Sequence, residues 1–368
     1  MAANEAGGEF YSILRANSIR TREIPMPPHA SDDPAADESS LAVHPYQRLV
    51  PETVLDAVES LGIHIDARIL TLNSYENRVY QVGVEEGNPV IVKFYRPQRW
   101  TREQILEEHA FTLELAELEL PVVPPLLLDG HNTLYEHDGF SFAVFERRAG
   151  RAPDLDNPDN LLVLGRFLGR LHAAGAARPF QHRQSLTVER LAIESRDYLL
   201  GQGFIPDSLR EAYDTLSRDL IERTSRVFAQ CSGVRQQRIH GDCHPGNVLW
   251  REDAPNFVDF DDAMTGPAIQ DLWMLLSGER HQRQIQLMDL VEGYSEFNDF
   301  DPRELQLIET LRTLRIMHYS AWLARRWQDP AFPRSFPWFN TERYWAEHIL
   351  ELREQMAALD EPPLELFN

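Results

Sequence analysis

The chain has 368 residues, with 58 acidic against 36 basic side chains, a formal net charge of −22 and two cysteines, Cys231 and Cys243. That length admits one large domain or two moderate ones around a substantial core. The acidic balance argues against nucleic acid or an anionic membrane as partner, two cysteines make no disulfide framework, and no apolar run approaches the roughly 20 residues that cross a bilayer.

In chain order, residues 1–40 read as a flexible extension, because Pro25, Pro27, Pro28, Asp32, Asp33, Pro34, Asp37 and Glu38 bury little apolar surface. They hold no signal-peptide apolar core, so the cytoplasm is the expected compartment. A β-rich lobe is expected over 41–146. It opens with a helix at 51–61 and continues in strands on either side of Leu72-Asn73-Ser74-Tyr75-Glu76-Asn77-Arg78, a turn without glycine. All but one of the basic residues are arginine; the exception, Lys93, sits in the apolar run Val90-Ile91-Val92-Lys93-Phe94. Lysine is a compact point charge that fits between two phosphates, whereas arginine is a planar fork. A helix follows over 101–118, with Thr101 as cap. Glu108 is the expected partner of Lys93 and Glu107 the alternative, since neighbours on a helix point in different directions. After a Pro-rich turn at 121–125, strands are expected at 126–128, 133–136 and 140–145, with Phe145-Glu146-Arg147 as a hinge whose backbone would meet an adenine. From about 155 the pattern turns helical, over 161–174, 188–200, 207–229, 268–276, 283–297, 303–327 and 341–359. This second lobe is assigned to 147–368.

The helical part is interrupted by His240-Gly241-Asp242-Cys243-His244-Pro245-Gly246-Asn247 and then Phe257-Val258-Asp259-Phe260-Asp261-Asp262. An Asp stands five positions before an Asn, and a second Asp twelve positions after it. Phosphoryl transfer from ATP to a hydroxyl needs this set: one carboxylate for the acceptor's proton, and an amide and a carboxylate for the metal. Asp242 is therefore the expected base, Asn247 and Asp259 the Mg²⁺ ligands, and Ser74, Asn77, Lys93, Glu108, Phe145 and Asn247 the ATP-binding set. Gly, Pro, Asn and Asp also make ordinary turns, but a turn does not require His240, Asp242, Asn247 and Asp259 together. His240, Cys243 and His244 are zinc-ligand types as well, yet no second ligand pair at suitable spacing accompanies them. Asp271, just inside a helix, is expected to cap it or to brace the catalytic loop.

The fold class that follows is α+β, bilobal and protein-kinase-like, with a β-rich N-lobe and a helical C-lobe. These residues resemble the aminoglycoside phosphotransferase and choline kinase-like superfamily, and within it the bacterial stress response kinases. The likeness is carried by 72–80, Val92-Lys93-Phe94-Tyr95-Arg96-Pro97, His240 to Asn247, 267–276 and 321–327. It implies a cytoplasmic, monomeric, Mg²⁺- and ATP-dependent Ser/Thr protein kinase linked to stress, acting on protein substrates and on itself, with Ser74 meeting ATP or becoming phosphorylated. Three departures from ordinary protein kinases stand out: Gly241 where the loop arginine would be, Asp259-Phe260-Asp261 for Asp-Phe-Gly, and no Ala-Pro-Glu. They imply activity without a phosphorylated activation loop.

Two other functions compete. A kinase for a choline-, homoserine- or aminoglycoside-like hydroxyl would use the same catalytic parts, and Tyr319, Trp322, Trp327, Trp338, Tyr344 and Trp345 could cage a quaternary ammonium instead of packing a core. Arg312, Arg315, Arg325 and Arg326 would suit an acidic or phosphorylated target, or a solvated helix face. A nucleotide-binding scaffold without transfer is the third reading. Cys243, beside the expected catalytic Asp, is either a redox-sensitive thiol or, as the favoured reading, a packing group.

Overall fold

Runs of β-branched and aromatic residues separated by turn formers build the first lobe as an antiparallel sheet. In the computed structural model, which describes residues 45–128 and 130–366, helix α1 (Pro51–Glu59) precedes strands β1 (Ile65–Leu72), β2 (Arg78–Val84) and β3 (Val90–Phe94). Helix α2 (Arg102–Glu117), β4 (Tyr135–His137) and β5 (Phe140–Glu146) follow, and the sheet order is β1-β2-β3-β5-β4. The extension expected over 1–40 lies outside the described residues. Side chains alternate across a strand. Tyr80, Val82, Val92, Phe94, Phe142 and Val144 therefore share one core with Val54, Ala57 and Val58 of α1. The opposite face carries Lys93, which is paired in register with Val79 and Ala143, and there Tyr95 and Ala143 meet Ile105 of α2. Helix α2 starts in a capping box between Thr101 and Gln104.

The run at 126–128 is not a strand. Only the Leu126 N–H reaches the sheet, at Val144 O, 2.7 Å away, while Leu127 and Leu128 are exposed. Pro124 and Pro125 directly before it lack N–H donors, so no ladder can start there.

Past β5 the chain turns helical, with α3 (Pro158–Gly175), α4 (Glu194–Gly201), α5 (Asp207–Gln230), β6 (Gln237–Ile239) and β7 (Met264–Gly266). Helices α6 (Ile269–Trp273), α7 (Arg280–Ser295), α8 (Ile308–Arg325), α9 (Ala331–Ser335) and α10 (Glu342–Ala358) complete the second lobe. Helix α4 is entered through a π turn, Glu189–Ile193, and α8 through a 3₁₀ segment, Pro302–Leu307, capped by Asp301. Helices α3 and α7 cross so closely that a Cβ on Gly165 would lie 2.1 Å from Leu290 O. The two-stranded β6–β7 ribbon carries the candidate catalytic segment between its strands, with Val248 and Phe257 bridged inside it. The aromatic residues of the C-terminal part pack as core: Trp345 is fully buried against Tyr213, Phe339 and Tyr344, and Trp322 meets Phe332 and Phe336 edge-on. Trp322 itself stays only partly buried.

Candidate active site

The loop after β6 is held from beneath. Asp271, fully buried at the start of α6, accepts the N–H groups of His240 and Gly241, both at 2.8 Å, and the His172 ring at 2.9 Å. His172 leans in turn on the Tyr294 hydroxyl at 3.2 Å. Asp271 thus braces the catalytic loop. Gly241 has φ +84, a left-handed conformation that suits glycine, and a Cβ there would meet Asp262 O at 2.3 Å. No arginine fits at that position.

His240 is no zinc ligand: its Nε2 bonds Val258 O at 2.9 Å and its Nδ1 faces the Asp242 N–H at 3.3 Å. Cys243 is fully buried, and burial, with Asp271 and Asp242 adding to it, pushes its thiol far up from the ordinary range. It stays a neutral packing group, the favoured of the two readings. Asn247 donates from Nδ2 to Asp242 O at 2.9 Å, which fixes the turn and leaves its side-chain oxygen for another partner. The Asp242 carboxylate lies 2.8 Å from Arg315 Nη1 and 3.6 Å from His244 Nε2. Burial alone would raise its pKa, but Arg315, then His244 and His240, outweigh that and hold it at about 2. Its Oδ1 makes an ion pair and no well-shaped hydrogen bond.

Asp259, left-handed at φ 59, turns its half-exposed side chain (49% accessible) to Lys93 Nζ, at 2.9 Å. Residues 166 positions apart thereby meet. Asp261, 5% accessible, is the second partner of Lys93, at 3.1 Å, and also pairs with Arg99. Against the cost of burial, Asp259 and Asp261 hold Lys93 firmly charged, and Arg99 with Lys93 keeps Asp261 ionised. Arg183 donates to the carbonyls of Asp261 and Ala263 at 2.5 and 2.8 Å.

Of the two glutamates on α2, Glu108 faces the lysine side. It is buried, one of its oxygens has no hydrogen-bond partner, and burial, only partly offset by Lys93, pushes it up to about 7. The ion pairs of Lys93 run to Asp259 and Asp261 rather than to Glu108. Glu107 points away and accepts the N–H groups of Gln181, His182 and Arg183. Glu114 pairs with Arg238 of β6 at 2.7 Å. Helix α2 is thus tied to the second lobe at two points.

The 73–77 turn is held from its side. Glu76 meets Arg96 and Arg326 at 2.9 Å each and the Trp322 indole N–H, while Asp329 takes Arg96 at 2.7 Å and Arg78 at 3.0 Å. Asn77 is buried, its Oδ1 accepting the Arg96 N–H at 3.0 Å, so it pins the turn. Ser74 lies in the same turn, partly exposed. Phe145 belongs to β5 opposite Ile91, and the strand ends one residue later. Sequence reasoning missed Asp261, Arg99, Arg183, His172 and Asp329. The doubled Asp261-Asp262 was the one local signal, and the rest are long-range pairings.

A model of the phosphotransferase enzyme family matches residues 68–308. "Stress response kinase A" of Shigella flexneri is 47% identical over 321 residues, covering 87% of this chain and 97% of the relative. "Serine/threonine protein kinase RdoA" of Salmonella typhimurium is 46% identical over 325 residues, with the same shares. Among solved structures, an amicoumacin kinase in complex with AMP-PNP and Ca²⁺ superposes with a TM-score of 0.65 at 19% identity, covering 86% of this chain and 95% of that one. A choline kinase from Cryptosporidium parvum gives 0.57 at 9% identity, with 83% and 96% covered. These two likenesses concern the fold.

Proposed function

The chain belongs to the phosphotransferase enzyme family, within its stress response kinase A group, and from that premise we propose that it is an ATP- and Mg²⁺-dependent Ser/Thr protein kinase of the cytoplasm. The observation that carries the reading is the convergence of Lys93 from the sheet with Asp242, Asn247 and Asp259 from the helical lobe. Residues 41–146 form the nucleotide-binding lobe and 147–368 the catalytic lobe.

Among the described residues no three His, Cys, Asp or Glu side chains form a ready metal cage. Mg²⁺ keeps several waters and takes one or two protein ligands plus substrate phosphates, so it does not need such a cage. Asp259 and the free oxygen of Asn247 would hold it, and when bound it neutralises charge on the phosphates. Asp242 orients the acceptor hydroxyl. As the oxygen–phosphorus bond forms and the terminal phosphoryl leaves ADP, Asp242 takes the released proton. A carboxylate held at about 2 is a weak base, so orientation is its larger contribution and the proton moves late. Lys93 exchanges Asp259 for phosphate oxygens, while Asp261 and Arg99 keep it aimed. With α2 fastened through Glu107 and Glu114, the site needs no phosphorylated activation loop. Phosphate required for turnover on any residue between Asp259 and Asp271 would contradict this.

Specificity for protein rests on the names of the relatives. The test incubates the purified chain with Mg²⁺ and γ-labelled ATP, offering generic acceptor proteins beside choline, ethanolamine, homoserine and aminoglycosides. Label on Ser or Thr supports the reading. Transfer confined to a small alcohol overturns the substrate class and leaves the phosphotransferase in place.

A further inference from the structure

The acceptor side of Asp242 is walled by α8 and by the helix entered at the π turn. On α8 and its C-cap, residues 315, 318, 319, 322 and 326 fall at helical spacing on one face. That face is anchored at both ends, by Arg315 on Asp242 at 2.8 Å and by Trp322 and Arg326 on Glu76 of the 73–77 turn. His318 and Tyr319 therefore lie along the stretch between the catalytic loop and that turn. Facing them, the π turn Glu189–Ile193 carries Arg190. Such turns are rare and are frequent at functional sites.

Arg190 reaches Met264 Sδ at 3.6 Å, and the Met264 methyl lies 3.0 Å from where a Cβ on Gly241 would stand, so this guanidinium borders the catalytic loop. Its Nη1 bonds the Gln184 side chain, and its buried Nε–H meets no acceptor. Among the described residues no carboxylate lies within 4.0 Å of Arg190: Asp262 and Glu194 act on it from farther away, and Asp262 is taken by Arg99 at 2.6 Å. Arg325 is placed alike, bonding the Glu194 carbonyl at 3.2 Å and lying 5.1 Å over the Tyr198 ring. Both charges act on the His318 ring, whose Nδ1 lies 3.3 Å from Ser195 Oγ. Burial first, then Arg190, Arg325, Arg315 and Arg99, hold that ring neutral at about 3. Burial likewise lowers Arg190, whose Nε–H is already without an acceptor, so an arriving anion would relieve an under-compensated cation.

We propose that Arg190, on the π turn beside the catalytic loop, forms an anion subsite for the acceptor, so that the hydroxyl phosphorylated here is accompanied by a carboxylate or an existing phosphate. Arg190 is the specificity-determining residue. The inference rests on the phosphotransferase reading, and in its peptide form on the protein-kinase reading. Guanidinium binds either group through charge-assisted, bidentate hydrogen bonds.

The experiment uses the full chain with Mg²⁺, γ-labelled ATP and matched Ser/Thr peptides flanked by Asp, by phosphoserine, by Ala or by Arg. Glycerol 3-phosphate, glycerate and choline are run in parallel as anionic and cationic small alcohols. Wild type is expected to favour anionic over neutral acceptors by about tenfold in kcat/KM, the worth of one charge-assisted contact. Asp and phosphoserine peptides tell carboxylate from phosphate. Arg190→Gln should raise the KM for anionic acceptors about tenfold with the KM for ATP nearly unmoved, and Arg190→Lys should restore part. Equal use of all flanks, a preference for Arg, or an unchanged preference in Arg190→Gln overturns the subsite. Peptide labelling without charge preference would sink the subsite and leave the protein kinase standing. Labelling of small anionic alcohols alone would do the reverse.

Discussion

In the catalytic loop, one fully buried carboxylate, Asp271, collects two backbone N–H groups and a histidine. In the 73–77 turn, Glu76 collects Arg96 and Arg326 with an indole N–H, and nearby Asp329 collects Arg78 and Arg96 again. The first brace is local to one lobe and made of hydrogen bonds from two backbone amides and a histidine ring. The second reaches across the cleft and is made of ion pairs. Both loops are fixed, but the second owes its stiffness to side chains outside itself, and it needs no glycine to hold its shape.

Substitutions at each brace separate the two. Asp271→Ala should have the largest effect: it strands three buried donors, so a loss of about 3 kcal/mol or more in denaturant unfolding is expected, with turnover falling alongside. A loss below about 1 kcal/mol would mean that the loop holds itself. Glu76→Gln should act on the nucleotide end, raising the KM for ATP about tenfold while kcat changes less, since the clamp positions the turn without touching the reacting atoms. Equal falls in kcat and kcat/KM would contradict that division.

How much of each region was legible follows the same line. The Asp242–Asn247–Asp259 spacing is local and could be read directly, and Lys93 stood out as the one lysine in an arginine-rich chain. The Thr101 cap and most helix spans follow from local chemistry too. The clamp was not legible, because Glu76–Arg326 and Arg96–Asp329 join residues far apart in the chain and any arginine might have served. The choice of Glu108 over Glu107 needed the loop at 181–183, whose N–H groups claim Glu107. The strand expected at 126–128 failed for want of donors before it, and the short helix α9 escaped notice because Pro333 lies inside it.

Two smaller effects sharpen the account at the catalytic end. Arg315 is the strongest influence lowering Asp242, so in wild type this carboxylate stays ionised down to about pH 2. In Arg315→Gln burial regains the upper hand, the folded-state pKa rises, and the acid limb of kcat/KM should move to higher pH by a unit or more. A limb that stays in place would show that Arg315 does not tune this carboxylate. Peroxide should have the smallest effect of all: with Cys243 buried and its thiol held protonated, treated and untreated enzyme should turn over alike. Reversible inactivation traced to Cys243 would refute the inert assignment.

The most direct measurement compares phosphoryl transfer and nucleotide affinity in one variant, Asp242→Ala, with Mg²⁺ and γ-labelled ATP. If Asp242 positions the acceptor while Lys93 and the clamped turn hold the nucleotide, transfer should fall by about 10³-fold or more while the Kd for ATP stays within about twofold. Transfer persisting near the wild-type rate, in protein that still binds ATP, would contradict the assignment of Asp242 and the division of labour built on it.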